Sequence, residues 1–397
     1  MAAPAENPMV FLDIRIGEEQ IGRVVLELYQ EEFPNTVRNF LALATGEGRG
    51  SNGQQISYKG TRIFKVVPRF AIQGGDVENN DGTGSETIYG KFFPKEGPFK
   101  SHTSAGLLGM ASHDAESSGS QFYITTVPNC THLDGKSTVF GRVVRGMGVI
   151  TQVECIVTTH NDAPTEDVVV DDCGLYECGM PLGPEDSYGD DVFPPFPEDC
   201  PPTFINFTSL QDVIHVAERV RIVGNFYYKS ERYTKANSKY KKALRYLMKF
   251  QEDAQSSNHD LSPKEELEVT HAVIHNLLNS AACKIKLQLY DEALENCNEA
   301  LDCVPNHVKA LYRRGQAYHG KREYERAVAD LLVAQQLEPT NHSIIAELKA
   351  CRGEMTMYKE RERRACQKYF KSLNNTPNNG EAQNSQNNGS QPEAMLN

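Results

Sequence analysis

No stretch of this 397-residue chain approaches the roughly 18 consecutive apolar residues of a membrane-spanning helix. The opening text, MAAPAENPMVF, also lacks a basic region followed by an apolar run, so a soluble, unsecreted chain is expected. The ten cysteines are irregularly spaced and form no Cys-x-x-Cys pair; only Cys173 and Cys178 lie close together in the first half. That argues for reduced thiols over a disulfide framework. With no Cys/His cluster in the text, neither a metal nor a cofactor is expected. Positive charge is in deficit as well: 41 Lys and Arg against 53 Asp and Glu leave a net charge of −12. Such a surface repels nucleic acid and anionic membranes unless basic residues gather locally, so neither is an expected partner. Two Asn-x-Thr triplets, at Asn129 and Asn206, are short enough to arise by chance and would stay unglycosylated in the cytosol.

What is present is an ordinary globular composition, 39% hydrophobic and 24% charged, in a length that suits two to three domains of about 150 residues. Val10, Leu12, Ile14 and Ile16 recur at every second position, and after a polar turn Val24, Leu26 and Leu28 repeat the pattern. Period two is the signature of a hairpin with one face buried. Pro34 then precedes Val37, Phe40, Leu41 and Ala44 at helical spacing, with Gly46 placed to end the helix. From 47 to 178 the text is rich in glycine and short apolar runs (RIFKVV, GLLGMA, QFYITT, STVFGRVV, DVVVDDCGLY). These suit many short strands closed into a barrel better than alternating strands and helices. An all-β barrel with one or two helices is expected over residues 8–178. Residues 179–202 hold seven prolines, six acids and no base, so an extended, self-repelling linker is expected over 179–205.

Beyond it, residues 206–372 turn to Ala, Leu, Glu, Lys, Tyr and Asn with apolar positions at helical spacing, an all-α domain. Set at a period of about 34 residues, Leu311, Gly315, Tyr318, Ala327, Leu331, Ala334 and Pro339 fall on the pattern positions of a tetratricopeptide repeat (TPR). Leu277, Ala281, Lys284, Ala293, Cys297, Ala300 and Pro305 form a second copy; Val220, Gly224, Tyr227, Ala236, Tyr240 and Ala243 form the first. Three repeats are expected, near 217–250, 274–307 and 308–341. Gly224 and Ala281 stand farther apart than one period, and the polar run Gln251 to Glu268 absorbs the excess as a lengthened helix end and loop. Ile344, Ile345, Leu348, Cys351, Met355 and Tyr358 continue a helical stripe, read as a capping helix over 342–372. Its basic amphipathic end also fits calmodulin, although a cap needs the same pattern. The Asn- and Gln-rich tail, 373–397, is expected to be disordered.

The runs YKGTRIFKVVPRFAIQGGD, NDGTGSETIYG, GLLGMAS, GSQFYIT and HLDGKSTVFG, in that order, resemble the cyclophilins, peptidyl-prolyl cis-trans isomerases with an eight-stranded barrel and two helices. One such motif alone would be ordinary turn and core text. With the acidic linker and TPRs behind it, the chain to about residue 372 resembles the forty-kilodalton, TPR-bearing cyclophilins, cytoplasmic and nuclear co-chaperones of the ninety-kilodalton heat-shock protein. The text GEGRGSNGQQISYKG looks like the loop insertion these cyclophilins carry. The resemblance puts Phe70, Gln73, Ala111, Tyr123 and Leu133 on the family's proline pocket, with Tyr123 where phenylalanine is usual. It puts Lys65 on the catalytic arginine, Ala71 on a methionine, Ser112 on an asparagine and Ser137 on a histidine. Isomerisation needs no nucleophile, only an apolar slot and a donor aimed at the prolyl nitrogen as the amide twists. A lysine is a poorer donor than a planar arginine fork. Weak turnover of proline-containing clients is therefore expected, with a binding-only barrel as the alternative. His132 stands where many cyclophilins carry a tryptophan that contacts cyclosporin, which implies weak cyclosporin binding at most. In the repeats, Arg221, Asn225, Asn279, Lys309 and Arg313 match the carboxylate clamp that holds the acidic C-terminal peptide of the ninety-kilodalton heat-shock protein, with Arg221 replacing the usual lysine. Each of the pairs Arg221/Asn225 and Lys309/Arg313 lies four apart, on one helix face. A solvated helix face would show single cations but not this full set in register.

Overall fold

The computed structural model describes residues 6–97, 100–112, 116–181, 191–201, 203–257 and 261–374. The first half is a nearly closed antiparallel barrel of eight strands: β1 (Met9–Ile16), β2 (Glu19–Leu28), β3 (Ile63–Val67), β4 (Ala71–Gly74), β5 (Leu107–Ser112), β6 (Ser117–Thr125), β7 (Val139–Arg145) and β8 (Val168–Leu175). Their order around the wall is β8-β1-β2-β7-β5-β6-β4-β3. The two ends meet where Arg62 bridges to Val169 and the Val170 N–H donates to the Thr61 carbonyl at 2.9 Å. Closure gives the edge strands partners that they would otherwise offer to another chain.

Two helices share the barrel's core. α1 (Pro34–Thr45) buries Val37, Phe40, Leu43 and Ala44, and α2 (Met147–Glu154) buries Val149, Ile150 and Val153. Phe40 has the ring centroids of Tyr58, Phe140 and Phe122 at 4.9, 5.2 and 5.6 Å, distances at which tilted aromatic rings attract. The first turn of α1 is satisfied from afar: the Glu96 carboxylate accepts from the N–H groups of Asn35 and Thr36 at 3.1 and 2.6 Å. Gly46 ends the helix at φ +73, as its position suggests. Along β1 and β2 the alternation holds for Val10, Leu12, Ile14, Val24, Leu26 and Leu28, yet Phe11 and Val25 are buried too. Phe11 lies under the Arg23 guanidinium at 3.9 Å, and Val25 faces a hollow shared with the linker.

That linker is not the extended, self-repelling segment expected. Residues 182–190 and 202 lie outside the described residues, but 191–201 form a packed strap. The buried Asp191 carboxylate meets Lys239 at 2.5 Å and Lys242 at 2.6 Å. Burial alone would raise its pKa, but the Lys242 and Lys239 charges outweigh that and hold it below the ordinary carboxylate range. Burial pushes Lys242 down to about 8. The Tyr246 hydroxyl donates to the Pro194 carbonyl at 2.9 Å, and Arg245 Nε to the Pro195 carbonyl at 3.0 Å. Phe196 belongs to the barrel's core, whereas Phe193 and Cys200 pack into the helical one. The Phe196 ring rests on Gly148, where a Cβ would come within 2.4 Å of it. Lys241 also bonds Glu19 across the two halves at 2.9 Å. Asp191 is answered by cations about fifty residues further along the chain, which the linker's own composition does not display.

The second half is a run of helices: α3 (Leu210–Lys229), α4 (Tyr233–Ser256), α5 (Pro263–Lys286), α6 (Tyr290–Cys303), α7 (Val308–Gly320), α8 (Tyr324–Leu337) and α9 (His342–Asn374). Successive helices pack together, and α3, α5, α7 and α9 also touch in series, giving the layer that lines a solenoid. Gly224 and Gly315 permit close approach: a Cβ at either would lie 2.7 Å from Tyr240 or Leu331. The extra residues between the first two helix pairs lie in a lengthened end of α4, a short connection and an early start of α5. Both α4 and α5 run for 24 residues, against 14 and 13 in α6 and α7, so the excess lengthens two helices. Ser262 and Glu265 close a capping box at the start of α5. On α9 Ile344, Leu348 and Cys351 are buried, but Ile345 and Tyr358 are 37% and 42% exposed, so only part of the expected stripe is covered. Residues 375–397 of the Asn-rich tail lie outside the described residues. Among the described residues no helix is long and apolar enough to cross a membrane.

Candidate active site and peptide groove

β3 and β4 form a hairpin in which Lys65 pairs with Gln73, and Gln73 pairs in turn with Tyr123 on β6. Directly paired residues share a face, so register alone sets these three side chains in a row across the wall. Phe70 and Ala71 enter from the hairpin turn, Ala111 from β5, and Leu133 and Ser137 from the segment before β7. All eight line one cleft of about 610 Å³, together with Val67, Lys95, Gly135 and Lys136. His132 stands beside them, its ring centroid 4.7 Å from that of Phe70. Ser112 ends β5 next to Ala111; its side chain lies outside the described part of the structure.

The Lys65 ammonium is half-exposed and lies 3.8 Å from the Asp162 carboxylate. Gln73 has no bond to it; its Nε2 donates instead to Gln121 Oε1 at 3.0 Å. Gln121 Nε2 in turn donates to the carbonyls of Gly82 and Gly84 at 2.9 and 2.8 Å. The loop that carries those carbonyls is wound around Asp76, whose carboxylate accepts from the N–H groups of Glu78, Asn79, Asp81, Gly82 and Gly84 at 2.9 to 3.2 Å. Burial works to raise the Asp76 pKa, but the N–H groups of Asn79, Gly84, Glu78 and Gly82 outweigh it and hold it below the ordinary value. Gly84 is required there, because a Cβ would come within 2.5 Å of Asp76 Oδ1.

At the back of the cleft the Tyr123 hydroxyl lies 2.7 Å from His102 Nε2, and His102 Nδ1 lies 2.8 Å from Asp134. The carboxylate favours a proton on Nδ1, which leaves Nε2 to accept from the phenol. Burial pushes the Tyr123 phenol above its ordinary pKa, opposed by its hydrogen bond to Ser137. The phenol occupies space that a Cβ on Gly109 would invade, at 2.2 Å. Gln121, His102, Asp134, Lys95 and Lys136 were not legible in the sequence. Gln121 had a weak signal, standing two residues before Tyr123 on one strand; His102 and Asp134 come from separate loops. An apolar slot with amide and ammonium donors on one side, and a phenol kept protonated, suits a conformational reaction rather than a covalent one.

The helical layer holds a second constellation. The Tyr240 hydroxyl donates to Asn225 Oδ1 at 2.8 Å, Asn279 Nδ2 approaches the same oxygen at 3.4 Å, and Lys309 Nζ lies 3.4 Å from Asn279 Oδ1. Three helices are thereby joined through residues to which the resemblance points. Burial first, then the Arg313 and Arg221 charges, push Lys309 below lysine's ordinary value. Arg221 is also bonded to Glu218 at 3.0 Å, and Arg313 Nε is buried without a hydrogen-bond partner. His275, one turn before Asn279, belongs to the same groove: burial, Arg221 and Lys309 lower its pKa. Like charges crowded away from water favour an anionic ligand that brings its own acceptors.

Residues 11–175 match the family described as cyclophilin type peptidyl-prolyl cis-trans isomerase/CLD. The peptidyl-prolyl cis-trans isomerase D of Mycosarcoma maydis is 33% identical over 378 residues, an alignment covering 87% of this chain and 92% of that protein. The likeness therefore extends through the linker and the helices.

Proposed function

This chain belongs to the cyclophilin-type peptidyl-prolyl cis-trans isomerases, and from that premise we propose a slow isomerase that serves as a TPR co-chaperone of the ninety-kilodalton heat-shock protein. The observation that carries the reduced rate is the Lys65–Asp162 contact at 3.8 Å. Rotation about an X-Pro bond must pass a barrier of about 18 to 20 kcal/mol, and it falls when a donor meets the prolyl nitrogen as its lone pair localises. Phe70, Ala111 and Leu133 supply an apolar slot for the ring, and Gln73, held by Gln121, supplies an oriented amide. Lys65 brings one hydrated ammonium that also answers Asp162. It cannot engage Gln73, the substrate carbonyl and the prolyl nitrogen as one rigid fork. Losing one preorganised donor commonly costs about 2.7 to 4 kcal/mol of transition-state stabilisation. The contact with Asp162 equally favours a second reading, in which the barrel holds proline segments without turning them over. His132 beside Phe70 supports weak cyclosporin binding at most.

The clamp reading is supported by the cluster of Arg221, Lys309 and Arg313 with Asn225 and Asn279, which matches the needs of a terminal carboxylate flanked by acidic side chains. Titrating the full chain with an acidic C-terminal heat-shock peptide tests it. Lys309→Ala and Arg313→Ala should each weaken binding by about tenfold or more. Binding unchanged in both variants would place the peptide elsewhere.

The barrel reading is tested by an isomerisation assay on the full chain. Measurable wild-type turnover, abolished by Lys65→Ala and raised on the order of tenfold by Lys65→Arg, is expected. A silent wild type, restored only when Lys65→Arg is joined by Ala71→Met and Ser137→His, would leave the binding-only reading.

A further inference from the structure

The back of the cleft holds a chain of polar groups that rotation about an amide does not use. The His102 side chain is fully buried and has a partner at each ring nitrogen: Nδ1 lies 2.8 Å from Asp134 Oδ1, and Nε2 lies 2.7 Å from the Tyr123 hydroxyl. The Asp134 carboxylate also accepts from the His102 N–H at 2.8 Å, and these two bonds, the side-chain one first, hold it below the ordinary carboxylate range. An ionised carboxylate can only accept, so in the neutral ring the proton sits on Nδ1 and Nε2 accepts from Tyr123. The phenol oxygen then offers lone pairs, and the Ser137 hydroxyl donates to it. Direction is thereby passed from Asp134 through His102 and Tyr123 to Ser137 Oγ, which has given up its proton and ends the chain as an acceptor. The barrel keeps room for this arrangement, since a Cβ on Gly109 would lie 2.2 Å from the Tyr123 hydroxyl oxygen. Tyr123 and Ser137 both line the cleft, and so do Ala71 and Ala111, whose side chains stop at Cβ and leave space beside the slot. An oriented chain of hydrogen bonds polarises its last member, and a site with a sheltered acceptor favours the ligand that brings a donor to it.

We propose that the cleft prefers a proline whose ring carries a hydroxyl, as in a 4-hydroxyprolyl segment, with Ser137 as the acceptor that meets it and Tyr123, His102 and Asp134 as positioning residues. This rests on the reading of the cleft as the proline-binding site. No covalent bond changes: the ring hydroxyl exchanges water for Ser137 Oγ, and Tyr123 keeps that oxygen turned to accept. One hydrogen bond between neutral groups is worth a modest factor in affinity, and the order imposed behind Ser137 raises it.

The test uses the full chain and short labelled peptides, amidated at the C-terminus so that they offer no terminal carboxylate to the helical groove. The central residue is proline, 4-hydroxyproline, 4-fluoroproline or 4-methoxyproline, the substituted rings in both epimers. Fluorine is small and has no proton to donate; the methoxy group keeps the oxygen and loses the proton. Fluorescence anisotropy on the parent chain should show one hydroxyl epimer binding roughly threefold to tenfold tighter than its fluoro and methoxy counterparts. This comparison needs no variant, so it stands even where a substitution disturbs folding. In Ser137→Ala the ratio should fall to about one, and in Tyr123→Phe it should fall part of the way, with near-ultraviolet circular dichroism showing that each variant is folded. If the hydroxyl and fluoro peptides bind alike in both epimers, or if the ratio survives Ser137→Ala, the preference for a ring hydroxyl is wrong while the proline site stands. A ratio untouched by Tyr123→Phe would overturn the positioning roles of Tyr123, His102 and Asp134. If no peptide binds, the unmodified proline one included, the proline site itself is overturned.

Discussion

The resemblance sets Lys65 where an arginine is usual; a single ammonium makes one directed contact at a time, and here Asp162 takes a share of it at 3.8 Å. The substitution is visible in the text because the runs on either side of it are intact. Asp162 is not, since it reaches the site only by a loop whose backbone carbonyl accepts the Val66 N–H at 2.8 Å. The same holds for Gln73: its place in the pocket follows from the motif, while its orientation depends on Gln121 and on the loop that Asp76 winds. Asp76 is therefore a positioning residue at two removes from the slot. Asp76→Asn keeps the shape but gives up the charge that its five backbone donors are arranged around, and should cost about 2 to 3 kcal/mol. Because the folded pKa lies below that of an unfolded aspartate, this stability is present above about pH 4 and disappears as pH falls through the folded value. Melting temperatures of the two proteins should thus differ at pH 7 and converge in acid. A gap that stays constant to pH 3 would assign the effect to something other than the carboxylate charge.

Among the elements, the paired helices were the most legible, because small residues recur where two helices touch. Gly224 packs on Tyr240 and Gly315 on Leu331, each with room for no Cβ, and Ala281 and Cys297 hold the equivalent places in the middle pair. Gly315→Val should destabilise the solenoid by about 1 to 3 kcal/mol through overpacking. Leu331→Ala in the same chain should recover part of that, because the added methyls enter the space it vacates; calorimetric melting of the single and double variants measures the coupling. Additive losses would mean that the two positions do not share a contact. The long arms α4 and α5 were less legible, since exposed helix and exposed loop are both written in polar residues. The Ser262–Glu265 capping box was the available signal that the second arm begins before Glu268. The strands read well on the inward face and poorly on the outward one, where Phe11 and Val25 are covered by groups from elsewhere.

For the whole molecule, the two halves were legible and their junction was not. Proline and acid content describes 179–205 taken alone, but the cations that answer Asp191 sit on α4, about fifty positions onward. Asp191→Asn would remove the carboxylate that the buried Lys242 ammonium meets at 2.6 Å, at a cost of about 3 to 5 kcal/mol. We expect faster hydrogen exchange through 193–200 and two separate melting transitions where the parent shows one; a single unshifted transition would mean that the strap is held by its aromatic residues alone. Those residues carry one more implication. Phe196 is part of the barrel's core, seated on Gly148, although it lies beyond the last strand at Leu175 and beyond the stretch that matches the family. A barrel trimmed at that boundary keeps every cleft residue and loses a stone from its foundation, with an empty socket under α2. The smallest fragment that is still this enzyme's barrel ends after Phe196, and rates taken from anything shorter describe a looser protein.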